Sequence, residues 1–205
     1  MKIIDISLPV SNETLVHPSE DFLKIEPNRR FKKDGVRTSK IAIGSHTGTH
    51  IDAPRHFLEK GVGIDKIDLE KCMGPAQVVE IPKNVGIIEK EQLKGKINTP
   101  RVLFKTKNSA SLNKPYTKDF ASLGVSGAEY LIEKKVVLVG IDYVGIEASG
   151  SPGHPVHTKL LGNKVVIVEG LNLSKVSEGK YELRILPISF TNLEAAPARA
   201  VLIQK

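Results

Sequence analysis

The chain has 205 residues, of which 40% are hydrophobic and 26% are charged, a balance typical of a soluble globular protein. This length suits a single domain over residues 1–205 with a substantial core, and no hydrophobic run approaches the roughly 20 residues that cross a bilayer. Cys72 is the only cysteine, which excludes an internal disulfide framework. Because residues 1–5 also lack the long hydrophobic core of a signal peptide, we expect a cytoplasmic protein.

The net charge of +7 raises the question of a nucleic-acid partner. The basic residues are mostly lysines dispersed along the chain, only 5% of the residues are aromatic, and there is no Trp to stack on bases. We therefore interpret the charge as a solvated, lysine-rich surface, and we predict neither nucleic-acid nor membrane binding.

Predicted strands and short helices alternate along the chain. A strand at residues 3–8 comes first, and the polar stretch 11–40 is interpreted as an extended lid or binding loop. The later predicted strands are 39–43, 76–81, 102–105, 136–141, 165–169, 181–186 and 198–203. The predicted helices are 64–72, 88–93 and 126–134, the last with Ser126 as N-cap and Glu129 at the capping-box spacing. This order predicts an α/β or α+β domain built on a mixed sheet.

Three of the six histidines fall within eleven residues, in the pattern His-x3-His-x-Asp-x3-His that runs from His46 through His50 and Asp52 to His56. Imidazole and carboxylate are the ligands that zinc and similar divalent ions prefer. Residues four apart on a straight strand are separated by about 13 Å, so His46 and His50 can reach one ion only if the chain bends between them. Gly48 lies at the midpoint, where a bend is sterically easiest. We therefore predict a metal site on a bent strand or loop.

A second group of polar residues follows the predicted strand 136–141. Asp142 closes that strand, a loop rich in Gly, Pro and Ser carries His154 and His157, and Glu169 ends the next predicted strand. Charged residues at the ends of buried strands are frequent in active sites. His157 and Glu169 could complete a second metal position beside the first, whereas His154 fits a surface position in its loop.

The segment from His46 to Phe57 resembles the signature of the metal-dependent cyclase family, which includes bacterial kynurenine formamidases and isatin hydrolases. The similarity extends over nearly the whole chain, from the opening residues 5–7 to the closing segment 181–202. It includes the spacing between His157 and Glu169. The resemblance implies a swivelling β/β/α domain that assembles as a dimer or tetramer.

The resemblance also implies a role for each residue that matches the family pattern. Five residues match the metal ligands, namely His46, His50 and Asp52 for one ion and Asp52, His157 and Glu169 for a second. Asp52 would bridge the two ions, and His56 matches the residue that accepts and returns the proton. The implied cofactors are two divalent ions, zinc in the formamidases and manganese in relatives such as isatin hydrolase.

The implied activity is hydrolysis of a small amide, above all the arylformamidase reaction that converts N-formylkynurenine to kynurenine and formate in tryptophan catabolism. Amide hydrolysis needs a strong nucleophile and a stabilised oxyanion, and two divalent ions supply both. An ion with three protein ligands leaves a position open for water, which favours catalysis over a structural site. Two alternatives remain, namely a hydrolase of another lactam or cyclic ester and a non-catalytic metal-binding protein.

The sequence departs from the formamidase pattern near its N-terminus. Formamidases of the family carry an aromatic-Pro-Gly-Asp segment beside the substrate, whereas this chain has His17, Pro18, Ser19 and Glu20 at the corresponding place. We predict that His17 contacts the small-molecule substrate there. Because the aromatic residue is replaced, the substrate itself is open between N-formylkynurenine and another amide, lactam or cyclic ester.

Overall fold

The structure is a computed structural model that describes residues 1–19 and 22–204. Its strands are β1 (Lys2–Asp5), β2 (Leu23–Arg29), β3 (Thr38–Ile43), β4 (His50–Asp52), β5 (Met73–Glu80), β6 (Ile87–Ile88), β7 (Arg101–Lys105), β8 (Ser122–Leu123), β9 (Leu138–Ile141), β10 (Val166–Glu169), β11 (Gly179–Pro187) and β12 (Ala195–Gln204). Its α-helices are α1 (Phe31–Asp34), α2 (Lys90–Leu93), α3 (Val125–Glu133) and α4 (Pro155–Gly162). Short 3₁₀ turns lie at Pro54–His56, Ile64–Lys66, Leu69–Cys72 and Lys107–Ala110.

Eight of these strands form one mixed sheet, in the order β1-β12-β11-β5-β7-β9-β10-β4. Strands β5, β7, β9 and β10 run parallel to one another, and the other pairings are antiparallel. Strand β4 also pairs with β12, so the sheet closes into a barrel. The predicted α/β fold with a mixed sheet is confirmed.

Alternate side chains of the barrel strands supply two hydrophobic cores. In β7, Leu103 belongs to the core cluster inside the barrel, whereas Val102 and Phe104 pack with residues of α3 and α4 on the outside. Strand β9 is buried along its whole length, as predicted for a strand covered on both faces. No helix in the two described ranges is both long enough and hydrophobic enough to cross a membrane.

Two local predictions are wrong because polar side chains bind other partners. The predicted helix 64–72 is two 3₁₀ turns, since Asp68 accepts a hydrogen bond from the backbone N–H of Glu70 and starts a new turn. The N-cap of α3 is Gly124, not Ser126. The Ser126 hydroxyl donates to Glu89 instead.

The first strand and the stretch 11–40 also differ from their predictions. Strand β1 ends at Asp5 and is followed by a single bridge from Ser7 to Leu171. The second half of the stretch 11–40 is an antiparallel hairpin of β2 and β3 rather than an irregular loop. The predicted strand 39–43 corresponds to β3 and is confirmed, whereas β2 lies in the stretch interpreted as a loop, and most of its side chains are exposed.

Candidate metal centre

A bend at Gly48 brings the first two histidines of the motif together. Gly48 has a φ of +69°, in the left-handed region, and β4 begins two residues later at His50. A Cβ atom at Gly48 would lie 2.9 Å from a methyl group of Val10, so a larger residue would also require that side chain to move. The rings of His46 and His50 are 4.9 Å apart between centroids, which confirms the predicted bend.

Asp52 lies at the centre of the cluster. Its Oδ1 atom is 3.1 Å from Nδ1 of His46 and 3.5 Å from Nε2 of His50. Its Oδ2 atom faces the other way, at 3.9 Å from Nε2 of His157. The carboxylate is buried and stands between the two predicted ligand sets.

Strand pairing places Glu169 on the opposite side of the cluster. In the antiparallel pair of β10 and β4, Glu169 is directly across from His50. Its Oε2 atom is 3.4 Å from Nε2 of His50, and its Oε1 atom is 3.3 Å from Nε2 of His157. The register of two barrel strands therefore joins residues more than a hundred positions apart.

His157 lies in the first turn of α4, a helix that the sequence did not predict. Pro155 occupies the start of the helix, where its fixed φ and missing N–H are tolerated. The sequence predicts a loop for the Gly, Pro and Ser residues before His157. In the structure that loop ends at Pro155, where α4 begins. His154 precedes the helix with a φ of 45°, and its ring centroid is 6.2 Å from that of His157.

Sequence reasoning missed Glu147, which lies between β9 and α4. Its Oε2 atom is 2.6 Å from Nδ1 of His157 and its Oε1 atom accepts from the backbone N–H of Val156 at 3.1 Å. The side chain is buried. The only available signal was an acidic residue in the loop before a Pro that can begin a helix.

The paired charges determine the protonation of the cluster. Burial acts to lower the pKa of His50 and of His157, but the carboxylates beside them outweigh burial and raise these values to about 9 and about 10. Burial acts to raise the pKa of Asp52 and of Glu169, and the imidazoles lower both. Without a bound cation, the cluster therefore holds carboxylates and imidazolium groups at neutral pH.

The arrangement fits a divalent cation. Four buried ligand atoms have no hydrogen-bond partner within the described part of the chain, namely Nε2 of His46, Nε2 of His50 and both carboxylate oxygens of Asp52. Buried polar atoms are normally paired, so unpaired ones need an explanation. Imidazole nitrogens and carboxylate oxygens suit zinc and manganese. Two groups within the cluster have candidate ligand atoms within 4.8 Å of one another, namely His46, Asp52 and His56, and His50, Asp52 and Glu169. Each shares two residues with a predicted ligand set, and neither is identical to one.

His56 lies in the 3₁₀ turn Pro54–His56, with its ring centroid 4.1 Å from that of His46. Burial, with the neighbouring His46 and His157, lowers the pKa of His56 to about 4, although Asp52 acts in the opposite direction. The ring is therefore neutral at pH 7 and can accept a proton.

A cavity of about 420 Å³ opens above the cluster. Four of the residues predicted as metal ligands or proton carrier line it, namely His46, His56, His157 and Glu169. Phe57 and Phe120 contribute aromatic wall, and the Phe57 ring centroid is 4.5 Å from that of His157. His17 also lines the cavity, with its ring against the edge of Tyr116 at 5.1 Å. Glu20, the last residue of the segment that departs from the formamidase pattern, lies outside the described residues.

Asp142 does not join the cluster. Its carboxylate accepts hydrogen bonds from Thr106 and Ser109 and so anchors the turn after β7. Burial raises the pKa of Asp142 although these bonds act to lower it. Of the polar residues that follow the predicted strand 136–141, Asp142 therefore has a structural role, whereas His157 and Glu169 belong to the cluster.

A family model described as "Putative cyclase" matches residues 4–148. The chain belongs to this cyclase family. A kynurenine formamidase of Salinibacter ruber (strain DSM 13855 / M31) is 35% identical over 207 residues, which cover 98% of this chain and 97% of that one. The resemblance of the histidine segment to the cyclase family is thus confirmed.

Solved structures of two hydrolases share the fold. A "predicted metal-dependent hydrolase" from Bacillus stearothermophilus is 34% identical, with a TM-score of 0.85 over 98% of this chain and 97% of that one. An isatin hydrolase bound to the product analogue thioisatinate is 20% identical, with a TM-score of 0.87 over 100% of this chain and 93% of that one. At that identity the isatin hydrolase supports the fold alone.

Proposed function

We propose that this chain is a metal-dependent amidohydrolase that hydrolyses small aryl amides, with N-formylkynurenine as the leading substrate. The observation that carries this proposal is the set of buried ligand atoms on His46, His50 and Asp52 without a hydrogen-bond partner among the described residues, beside a cavity with aromatic walls that His46 lines. The kynurenine formamidase of Salinibacter ruber, similar along nearly the whole chain, supports the formamidase reaction.

Two divalent ions are proposed, with zinc preferred and manganese as the alternative. His46, His50 and Asp52 would hold the first ion, and Asp52, His157 and Glu169 the second. The two carboxylate oxygens of Asp52 face different histidines, as a bridging ligand requires. When bound, such ions make a water molecule nucleophilic near neutral pH and polarise the substrate carbonyl.

The protein's own residues supply proton transfer and orientation. His56 is neutral at pH 7, so one ring nitrogen can take the proton of the attacking water and return it to the leaving amine. Phe57 and Phe120 offer apolar surface against which an aryl ring can pack. His17, at the wall, is proposed to contact the part of the substrate beyond the amide.

We further propose that the protein is a homo-oligomer. The hairpin of β2 and β3 presents exposed hydrophobic residues, including Ile41, which is 64% exposed, and an isolated two-stranded hairpin is marginally stable in water. Light scattering after size-exclusion chromatography tests this point. A monomer at micromolar concentration would contradict it.

The function is tested by metal analysis and a substrate screen on the same preparation. Protein stripped with a chelator is reconstituted with zinc or manganese and assayed with N-formylkynurenine, isatin and small lactams. We expect metal-dependent release of formate from N-formylkynurenine. Turnover of isatin alone would favour the lactam hydrolase, and bound metal without turnover of any of these compounds would favour the non-catalytic metal-binding protein. Failure to bind either metal would overturn the proposal.

A further inference from the structure

We infer that Glu147 is a positioning residue that builds the second ion site by fixing the orientation and tautomer of His157. The inference rests on the two-ion centre proposed above and adds to it a residue that faces away from the ions. The argument depends on the geometry around one buried carboxylate.

The Glu147 carboxylate contacts the outer edge of the His157 ring. Its Oε2 atom is 2.6 Å from Nδ1, and the side chains of Glu147 and His157 are only 3% and 9% exposed. On the opposite edge of the ring, Nε2 faces Oε1 of Glu169 at 3.3 Å and Oδ2 of Asp52 at 3.9 Å. Glu147 and the proposed ion position therefore lie on opposite sides of one imidazole.

This arrangement selects one tautomer. A carboxylate can only accept a hydrogen bond, so the short contact requires the His157 proton on Nδ1. With the Nδ1 proton held by Glu147, Nε2 is the nitrogen that would give up its proton to an ion, and its lone pair would then be directed to the side of Asp52 and Glu169, as a metal ligand requires. Without Glu147, the ring loses the partner that makes this tautomer and orientation preferred.

Glu147 also holds the backbone that carries the ring. Its two oxygens accept from the N–H groups of Val156 at 3.1 Å and His157 at 3.3 Å, in the first turn of α4. These N–H groups have no partner within their own helix. One carboxylate thus fixes both the start of α4 and the side chain that the helix presents to the cluster, so a change at Glu147 should act through His157.

A rival arrangement is an ion held by Glu147 itself. Glu147, His154 and His157 offer ligand atoms within 4.8 Å of one another. An ion there would displace the Nδ1 hydrogen bond, and His154, the third ligand, is exposed and precedes the helix. Removal of the His154 ring distinguishes the two arrangements. It should weaken an ion held by Glu147 and His154, but it should leave ion affinity unchanged if Glu147 only positions His157.

The test is a comparison of ion affinities in four proteins, the wild type, Glu147→Gln, His157→Ala and the double variant. Zinc dissociation constants are measured by competition with a chelating indicator. We expect Glu147→Gln to weaken one ion by about 10- to 100-fold, a typical effect of removing a group that orients a ligand, and to leave the other within about threefold. The weakened ion should be the one that His157→Ala loses, and the double variant should bind the remaining ion like His157→Ala.

Each contrary result has a distinct meaning. Equal weakening of both ions, or unchanged affinities with only a lower unfolding temperature, would show a structural role and overturn the inference. Weakening of the same ion by His154→Ala would show that Glu147 is itself a ligand, which also overturns it. If Glu147→Gln does not fold, Glu147→Asp, which keeps the charge one methylene shorter, must still weaken the same ion selectively. A wild type that binds one ion only would instead refute the two-ion centre before any variant is compared.

Discussion

The ligand cluster and the cavity wall above it are supported differently. Most of the cluster lies on regular elements, with His50 and Asp52 on β4, Glu169 on β10 and His157 on α4. The wall includes loop residues such as His17 and His154, which lie outside the strands. The paired strands fix much of the ligand geometry, whereas His17 and His154 are not among the predicted ligands, and we expect that they can change without disturbing it. Chemistry and substrate choice are therefore separable in this fold, and the predictions below test that separation.

The largest effect is expected at the shared carboxylate. Asp52→Asn removes the charge that the imidazoles and both ions need, so we expect loss of both ions and of measurable hydrolysis. Metal analysis and the formate assay on the same preparation check this prediction. Asp119→Asn, at a side chain that is 88% exposed, is the matched control and should keep both. Retention of two ions by Asp52→Asn would refute the bridging role.

His56 should separate chemistry from metal binding. His56→Ala is expected to lower kcat by about 10²- to 10⁴-fold, the usual contribution of a general acid–base group, with the metal content unchanged. Single-turnover assays and metal analysis measure the two quantities. Full turnover with metals bound would exclude His56 as the proton carrier.

The pH dependence of stability tests the charges inside the cluster. The pKa values of His50 and His157, about 9 and about 10, lie above the value near 6.5 of an unfolded chain. Their stabilisation of the metal-free protein is therefore complete below about pH 6.5 and is lost as the pH rises through 9 to 10. Thermal unfolding in a chelator should show a melting temperature that falls across this range. A metal-free protein that becomes more stable toward pH 10 would contradict the ion pairs.

Metal loading should reduce that alkaline loss. A bound imidazole carries no proton on its ligand nitrogen, so proton binding by His50 and His157 no longer contributes to folding. The same melting series with zinc in excess provides the comparison. An identical loss in the loaded and stripped proteins would mean that the two histidines do not bind the metal.

The smallest effect is expected at the cavity wall. His17→Ala should change kcat/KM for N-formylkynurenine by less than about tenfold, equivalent to about 1.4 kcal/mol, with both ions retained. His17→Asn serves as the control, because it keeps a polar group near Ser19. The Ser19 Oγ atom lies 2.7 Å from Nδ1 of His17. Loss of an ion in His17→Ala would mean that the wall and the cluster are not independent.

The sequence predicted the residues of the cluster better than the helix and the side chain that hold them in place, α4 and Glu147. The motif from His46 to His56 has a chemical composition and a spacing that suit a cation, and Gly48 marked the bend. The helix that carries His157 was missed because Pro155 is compatible both with a loop and with the first turn of a helix. Glu147 was missed because its partners, ten and nine residues away, meet it only when β9 and α4 pack together.

The same distinction explains the errors elsewhere in the fold. Buried strands such as β9 were predicted from hydrophobic runs, since burial determines composition directly. Strand β3 was predicted, but β2 has no fully buried side chain and contains Pro27, so its sequence was interpreted as part of a loop. Ser126 has the spacing of a capping box, but Glu89 is close enough in the folded chain to take its hydroxyl hydrogen bond. Local sequence patterns are informative where a side chain faces either the solvent or the core. They fail where two polar side chains from distant parts of the chain form a hydrogen bond.

A metal titration of the stripped protein, followed by formate release from N-formylkynurenine, tests the central claim most directly. The proposed centre predicts binding of two equivalents of zinc or manganese per chain, with hydrolysis that appears as the ions bind and disappears when a chelator removes them. Full hydrolysis in the stripped protein, or saturation without any second equivalent, would contradict it.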